Sequence, residues 1–199
     1  ISGSSYRKVL AHNPSFRIGT ATIKYDASGF YLSLQIGDVI PFKAQKAKTG
    51  KKTGIDLNLD NFLTDSDDTV VDNPRYYRKS LKRLKKLQRR ASRRQNRAKK
   101  EGRKLWQSKN YQKARRQASR LQRRVRNQRE DFLQKLSTAY INNHDVVVLE
   151  DLRGKNLMKN HALAMSISDA GWTSFQRMLE YKADLYGKTY IEIDKRNTT

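Results

Sequence analysis

At 199 residues, the chain is long enough for one well-filled core, or for one domain and a piece of another. Its formal charge is +24, from 43 Lys and Arg against 19 Asp and Glu. A charge of this size makes the folded chain repel itself unless a polyanion is bound, so nucleic acid is the leading partner and an acidic membrane surface is the weaker alternative. The lack of cysteine excludes disulfides and thiolate zinc sites within these residues, and no uncharged apolar run is long enough to span a bilayer.

The first part of the chain predicts a β-hairpin. Residues 16–36 form two strand-like runs around a short polar turn that contains glycine. A lone hairpin is too small to be stable, so we interpret it as the remnant of a barrel or sheet domain. The basic linker Lys43–Lys52 follows, which predicts one domain over 1–47 and a second over 48–199. Because the chain starts without Met and stops just after a strand-like run, we expect a fragment cut at both ends.

Three short strands are predicted next. The run Lys52–Leu57 presents a carboxylate, Asp56, near its end, and the runs 61–66 and 69–72 follow with tight turns between them. This spacing predicts an antiparallel meander. Pro74 comes directly after it and is expected at the first position of a helix, where the missing N–H is not needed.

The most unusual stretch is strongly basic. Residues 75–129 contain 25 Lys or Arg and one acid, Glu101. Apolar residues recur every three or four positions on both sides of Gly102, which predicts two long helices in an antiparallel hairpin over about 75–140. The alternative is a structural coiled coil with a solvated face, but such surfaces mix both charge signs. Dense cations instead favour contact with a nucleic-acid backbone. The predicted contact residues are Arg78, Lys82, Lys85, Lys86, Arg89, Arg90, Arg93, Arg94, Arg97, Arg115, Arg116, Arg123, Arg124 and Arg126.

Four aromatic residues of this basic region have two possible roles. Tyr76, Tyr77, Trp106 and Tyr111 are of the type that stacks on bases or packs in a core. Tyr77 and Tyr111 fall on the apolar stripe, which favours packing for these two. For Tyr76 and Trp106 both roles stay open.

A second acid follows a more apolar strand. Val146–Leu149 are four consecutive apolar residues, three of them β-branched, which predicts a strand buried on both faces that ends at Glu150. Asp56 and Glu150 could be ordinary caps or turn residues. Two carboxylates ~5 Å apart would repel by about 3 kcal/mol at an effective dielectric near 20 and would then need a proton or a bridging cation. Hard oxygen ligands in a phosphate-binding protein point to Mg²⁺ or Mn²⁺, and two such ions support phosphodiester cleavage.

The last third predicts a polar loop, one helix over about 166–186 and a final strand over 189–194. Three histidines, His12, His144 and His161, are scattered without ligand spacing. Each is interpreted as a surface or loop residue and not as a metal ligand.

Several motifs together resemble the TnpB (OrfB) family of transposon-encoded proteins, relatives of the type V CRISPR effectors. The matching segments, in order, are Gly54-Ile55-Asp56-Leu57, Asn73-Pro74-Arg75 with the basic helical pair, Asn127-Gln128-Arg129-Glu130-Asp131-Phe132, Val148-Leu149-Glu150-Asp151-Leu152, and Leu163 to Trp172 with Phe175 and Tyr181-Lys182-Ala183. The resemblance covers roughly residues 16 to 199. It implies an α/β RuvC-like nuclease domain of RNase H type, with a mixed sheet, the long basic helical hairpin as an insertion, and the N-terminal hairpin as the end of a wedge-type β-barrel.

The resemblance also implies chemistry and partners. Asp56 and Glu150 would be catalytic, metal-binding acids on neighbouring central strands of an RNA-guided DNA endonuclease. Its partners would be a guide RNA and a target DNA, where base pairing reads sequence and the protein holds the backbone. The expected location is the cytoplasm of a prokaryote, with the nucleoid when DNA is bound, and no membrane.

The chain departs from the family pattern at its end. The third catalytic aspartate of the family, and the four-cysteine insertion that would bind structural Zn²⁺, lie beyond the last residue, and Asp194 does not match the third acid. We therefore predict that these 199 residues bind nucleic acid but cleave poorly or not at all. A nuclease-dead RNA- or DNA-binding protein on the same scaffold is the first alternative, and a structural RNA-binding protein of ribosomal type is the second.

Overall fold

The computed structural model describes residues 17–26, 29–37, 45–150 and 161–193, and divides the chain into two compact units, Ile1–Lys43 and Ala44–Thr199. In the first unit, strands β1 (Arg17–Asp26) and β2 (Gly29–Gly37) pair antiparallel, with an irregularity of register between Ile18 and Ala21. The predicted β-hairpin is confirmed. Its assignment to a barrel domain stays a prediction.

The second unit is built on a five-stranded mixed sheet. Its strands are β3 (Lys52–Leu57), β4 (Asn61–Asp65), β5 (Val70–Asp72), β6 (Val146–Glu150) and β7 (Thr189–Ile193). They lie in the order β5-β4-β3-β6-β7; β3, β4 and β5 form the predicted antiparallel meander, while β6 runs parallel to β3 and β7 parallel to β6. The expected adjacency of β3 and β6 at the centre of the sheet is confirmed. The predicted end of β7 at Asp194 lies outside the described residues.

The basic segment folds as predicted, into helices α1 (Tyr76–Lys100) and α2 (Lys109–Asn143), which pack along each other. Pro74 is not the first helical residue, so that expectation is wrong. Arg75 lies between Pro74 and helix α1 in a left-handed conformation with φ 51°, and the helix begins only at Tyr76. None of the described helices combines the length and apolar character that crossing a membrane requires.

The single helix predicted over 166–186 is two helices. Helix α3 (His161–Ala170) and helix α4 (Trp172–Tyr186) meet at Gly171, which has φ 75°. A side chain at Gly171 would be strained in this left-handed backbone, and its Cβ would lie 3.3 Å from side-chain atoms of Arg129 and Leu133. The periodic pattern runs through this point because both helices present apolar residues to the same core.

The core lies on one face of the sheet. Helices α2, α3 and α4 contribute buried side chains that join those of the strands, including Phe62, Leu133, Ile141, Phe175 and Leu179. Strand β6 alternates between fully buried positions and half-buried ones, so its predicted burial on both faces is wrong. Val147 and Leu149 point into the core, whereas Val148 and Glu150, which alternate with them, are half-buried beside an open cleft.

Candidate functional site

The two predicted acids lie side by side. Ile55 pairs with Leu149 in the parallel ladder of β3 and β6, and Asp56 and Glu150 are the next residue on each strand. Because side chains alternate along a strand and Ile55 and Leu149 point into the core, both carboxylates project from the opposite, open face. Neighbouring strands are about 4.8 Å apart.

An open cleft surrounds these acids. It is lined by Gly54, Ile55, Asp56, Thr64, Asp65, Ser66, Val148, Leu149, Glu150 and Ile193, from β3, β4, the following turn, β6 and β7. The Asp56 residue is exposed and Glu150 is half-buried. Helix α4 contacts the end of β6, since the side-chain amide of Gln176 donates to the Glu150 backbone carbonyl at 3.3 Å.

The oxygen atoms of Asp56 and Glu150 suit a hard divalent cation such as Mg²⁺ or Mn²⁺. Within the described part of the chain, neither carboxylate has a hydrogen-bond or ion-pair partner of its own, which leaves their oxygens available in the cleft. The described part of the chain contains no cluster of three or more His, Cys, Asp or Glu side chains that could bind a metal. Among the described residues that line this cleft, Asp56 and Glu150 are thus the two acids whose carboxylates are available as metal ligands.

A third carboxylate borders the cleft but is committed to the fold. One oxygen of Asp65 accepts from the backbone N–H groups of Asp67 and Thr69, and the other accepts from the Tyr140 hydroxyl at 2.8 Å. Burial works against the ionised form of Asp65, but these donors outweigh it and hold its pKa below the ordinary value. Burial and the neighbouring Asp65 raise the pKa of Tyr140, so the phenol stays a donor.

The basic hairpin is as exposed as the sequence predicts. Of its fourteen predicted phosphate contacts, all but Arg94 and Arg123 are exposed. Some also make internal contacts that the sequence pattern does not reveal. The Arg94 guanidinium donates to the Asn110 carbonyl at 2.8 Å, and Arg97 lies 2.9 Å from Glu101. The other members form a dense cationic surface, and their contact with phosphates stays a prediction.

The base of the hairpin is held by a residue whose role sequence reasoning missed. The two oxygens of Asp169, on α3, accept from the backbone N–H groups of Tyr77 at 2.9 Å and Arg78 at 3.0 Å. These are among the first N–H groups of α1, which have no partner within their own helix, and Arg75 at the N-cap supplies no side-chain cap. Asp169 thus caps a helix that begins more than ninety positions earlier. The only signal in the sequence was its place in a motif of the resemblance.

Two buried lysines were also missed. The Lys182 ammonium donates to the Gln134 carbonyl and to the hydroxyls of Ser137 and Thr138, all within 2.8 Å, which ties α4 to α2. Burial lowers the pKa of Lys182. Lys188 forms an ion pair with Asp145 at the start of β6. Both lysines join elements of the fold through these polar contacts, and neither borders the cleft.

The structure places some of the histidines and aromatic residues differently from what their sequence pattern predicts. His144 lies in the loop after α2 as predicted, but it is buried against Tyr140 and is not a surface residue. His12 lies outside the described residues, as does the side chain of His161. Tyr76 lies edge-on to Phe132 at the base of the hairpin, whereas Trp106 is 71% exposed at its tip.

The sequence matches known proteins over most of its length. A family model named OrfB_IS605, described as "Probable transposase", matches residues 33–161. The chain is 38% identical over 177 residues to a Streptomyces pristinaespiralis protein named "Putative RNA-guided DNA endonuclease", which covers 88% of this chain and 41% of that protein. It is 29% identical over 180 residues to the Escherichia coli K12 protein "Putative RNA-guided DNA endonuclease InsQ", with 83% of this chain and 42% of that protein covered. The chain thus spans about two fifths of the length of each relative.

Proposed function

Because this chain belongs to the OrfB_IS605 family, we propose that it is part of a transposon-encoded, RNA-guided DNA endonuclease that depends on a divalent metal. The names of the two relatives support an activity of this class. The strand order, a meander extended by two parallel strands, supports a RuvC-like domain of RNase H type.

The observation that carries the proposal is the parallel pairing of β3 and β6, which sets Asp56 beside Glu150 on the open face of the sheet. These two residues would hold Mg²⁺ or Mn²⁺. When bound, such an ion would supply a nucleophilic water at neutral pH and would stabilise charge on the phosphodiester. The protein's own part is to keep two mutually repelling carboxylates adjacent on a rigid sheet, so that the site is organised before the ion arrives.

The basic hairpin would hold the nucleic-acid backbone. Helix α1 alone has 25 residues, so it extends over about 37 Å, enough to follow several phosphates. Its cations carry no evident pattern for reading bases, which fits a protein that leaves sequence recognition to the guide RNA and binds the RNA and the target DNA by their phosphates. Such a protein would work in the cytoplasm of a prokaryote and at its nucleoid.

By themselves, these 199 residues would bind nucleic acid and cleave it poorly or not at all. Of the three acids that line the cleft among the described residues, only Asp56 and Glu150 have carboxylates available to a metal, since the Asp65 oxygens accept hydrogen bonds within the fold. A poised metal site needs more ligands, and the longer relatives have the length to supply a third acid and the Zn²⁺-binding part expected from the resemblance.

The decisive experiment is cleavage of target DNA by the longer protein, loaded with guide RNA, in Mg²⁺. Asp56→Ala and Glu150→Gln should each abolish cleavage while RNA binding is retained. Asp72→Ala is the matched control, because Asp72 is an exposed acid on β5 that does not border the cleft. Cleavage that survives Asp56→Ala would refute the metal site. A wild-type protein that binds both nucleic acids and never cleaves would be the nuclease-dead relative.

The hairpin is tested separately on the present chain. Duplex affinity is measured over a range of salt concentrations, and neutralising several phosphates predicts a steep fall of log affinity with log salt. Replacing exposed Lys86 and Arg90 together by Ala should reduce that slope by about two, since each cation that contacts a phosphate contributes about 0.9. A flat salt response of the wild-type chain would contradict the proposed role of the hairpin.

A further inference from the structure

The tip of the basic hairpin carries an exposed tryptophan that the proposed backbone contacts do not use. Trp106 lies in the loop between α1 and α2, and 71% of its surface is accessible, whereas the other tryptophan, Trp172, is 6% exposed in the core. Tryptophan is highly buried on average in folded proteins, because its indole has a large apolar surface. The position of Trp106 therefore calls for an explanation.

The loop that presents Trp106 is held by hydrogen bonds. The Gln107 N–H donates to the Lys104 carbonyl at 3.0 Å, which closes a tight turn with Trp106 at its third position. The side chain of Gln112, on α2, donates to the Leu105 carbonyl at 3.0 Å. At the start of the loop, the Arg103 N–H donates to the Ala98 carbonyl at 2.9 Å. The indole is thus displayed from an ordered turn, so contact with a ligand orders little additional backbone.

The surroundings of Trp106 are cationic. Lys99, Lys100, Lys104 and Lys109 are exposed on either side of it. Glu101, the one acid in the sequence between residues 75 and 129, is engaged by Arg97 and Arg103. A flat aromatic face among unpaired cations is the combination with which proteins bind single-stranded nucleic acid: the cations hold phosphates and the ring stacks on a base.

We propose that Trp106 stacks on an unpaired nucleobase of a single-stranded segment held at the hairpin tip. This inference rests on the proposed nucleic-acid contact of the hairpin and adds a base-stacking site to it. An unpaired base fits better than a paired one, because stacking inside a duplex would first require the unstacking of a base step. Since any base has a stacking face, the contact adds affinity without sequence preference.

The two tryptophans make the contact directly measurable. Because Trp172 is buried, Trp106 is the one that a bound oligonucleotide can quench. We expect an oligothymidylate to quench the fluorescence of the chain, and an abasic strand of the same length and charge to leave it unchanged. The quenching should disappear in Trp106→Phe, which removes the reporter while keeping an aromatic ring.

Affinity separates stacking from charge. Trp106→Ala should weaken binding of oligothymidylate about tenfold and leave binding of the abasic strand unchanged, while Trp106→Phe should retain most of the affinity. Lys104→Ala is the matched control and should weaken binding of both strands alike. Circular dichroism checks that the helices of each variant are intact.

Two results would overturn the inference. If Trp106→Ala binds oligothymidylate as tightly as the wild type while binding stays salt-dependent, the stacking site is refuted and the backbone contacts of the hairpin stand. If the wild-type chain binds neither strand, the proposed function of the hairpin fails, and the stacking site fails with it.

Discussion

Asp169 anchors the basic hairpin to the rest of the fold, and replacing it tests whether that single contact sets the stability of the hairpin base. Its carboxylate accepts two N–H groups at the start of α1 and is 7% exposed. In Asp169→Ala, the N–H groups of Tyr77 and Arg78 lose their partners. The same change removes a negative charge from the N-terminal end of the helix dipole.

The magnitude follows from these contacts. Loss of an N-terminal cap costs about 0.5–2 kcal/mol, and hydrogen bonds to a charged group are worth about 1.5–3 kcal/mol each. Since Asp169 is nearly buried and water replaces it only in part, we expect Asp169→Ala to lower the free energy of unfolding by about 3 kcal/mol. Asp169→Asn keeps one acceptor oxygen and should cost about half as much.

The assay is urea unfolding followed by helix circular dichroism, combined with hydrogen exchange. Exchange of the amide protons of Tyr77 and Arg78 should accelerate strongly in Asp169→Ala, before any global unfolding. The matched control is Glu180→Ala, because Glu180 is an exposed acid on α4 and its loss should change stability by less than about 0.5 kcal/mol. If Asp169→Ala unfolds like the wild type and both amides stay protected, the capping argument is refuted.

Three further predictions address the fold around the cleft. Tyr140→Phe removes the hydrogen bond to Asp65 and should lower the free energy of unfolding by about 1–2 kcal/mol in urea titrations; an unchanged value would mean that this bond contributes nothing. Phe175→Ala empties a position with 0% exposure and should cost about 3–5 kcal/mol by the same measurement, so a loss below about 1 kcal/mol would contradict the packing described. The Lys188 ammonium holds the pKa of Asp145 well below its ordinary value. Ionised Asp145 therefore stabilises the fold above about pH 4. This stabilisation is lost as the pH falls through the lowered pKa of the folded state. Lys188→Met should therefore lower stability at neutral pH and make its decline between pH 5 and pH 2 shallower, and an equally steep decline would exclude this pair as its source.

The hairpin and the cleft are connected through short contacts. Asp169 joins the start of α1 to α3, α3 continues through Gly171 into α4, and the Gln176 side chain on α4 holds the Glu150 carbonyl. The described residues thus form a continuous support from the cationic helices to one of the two acids. In the proposed function, this support would position a nucleic-acid backbone on the hairpin relative to the open face of the sheet.

Local patterns in the sequence were sufficient for most of the elements. The period of two in the strands, the period of three to four in the basic segment and the turn residues between them predicted the β-hairpin, the meander and the helical hairpin, which the structure confirms. The excess of Lys and Arg with one acid over 75–129 is likewise visible in the chain itself. These features depend on neighbours within a few positions, and a linear pattern records such neighbours directly.

The sequence-based predictions were wrong or incomplete where burial, helix ends or hydrogen-bond partners depend on distant parts of the chain. The apolar run before Glu150 does not reveal that every second residue of β6 is only half-buried, because burial depends on where distant helices pack. The periodic pattern through Gly171 hides a break that the left-handed backbone creates. The partners of Asp169 and Lys182 lie 92 and 45 positions away, at Tyr77 and Ser137.

Asp56 and Glu150 depend both on local sequence pattern and on tertiary packing. Their residue type, and their position near the ends of two short strands, can be read from the chain, and the resemblance supplied the expectation that those strands are neighbours. Their alignment across β3 and β6 comes from the parallel register, which is set by the packing of many side chains at once. A shift of one residue would turn either carboxylate toward the core, so it is the folded sheet that brings Asp56 and Glu150 to the same open face.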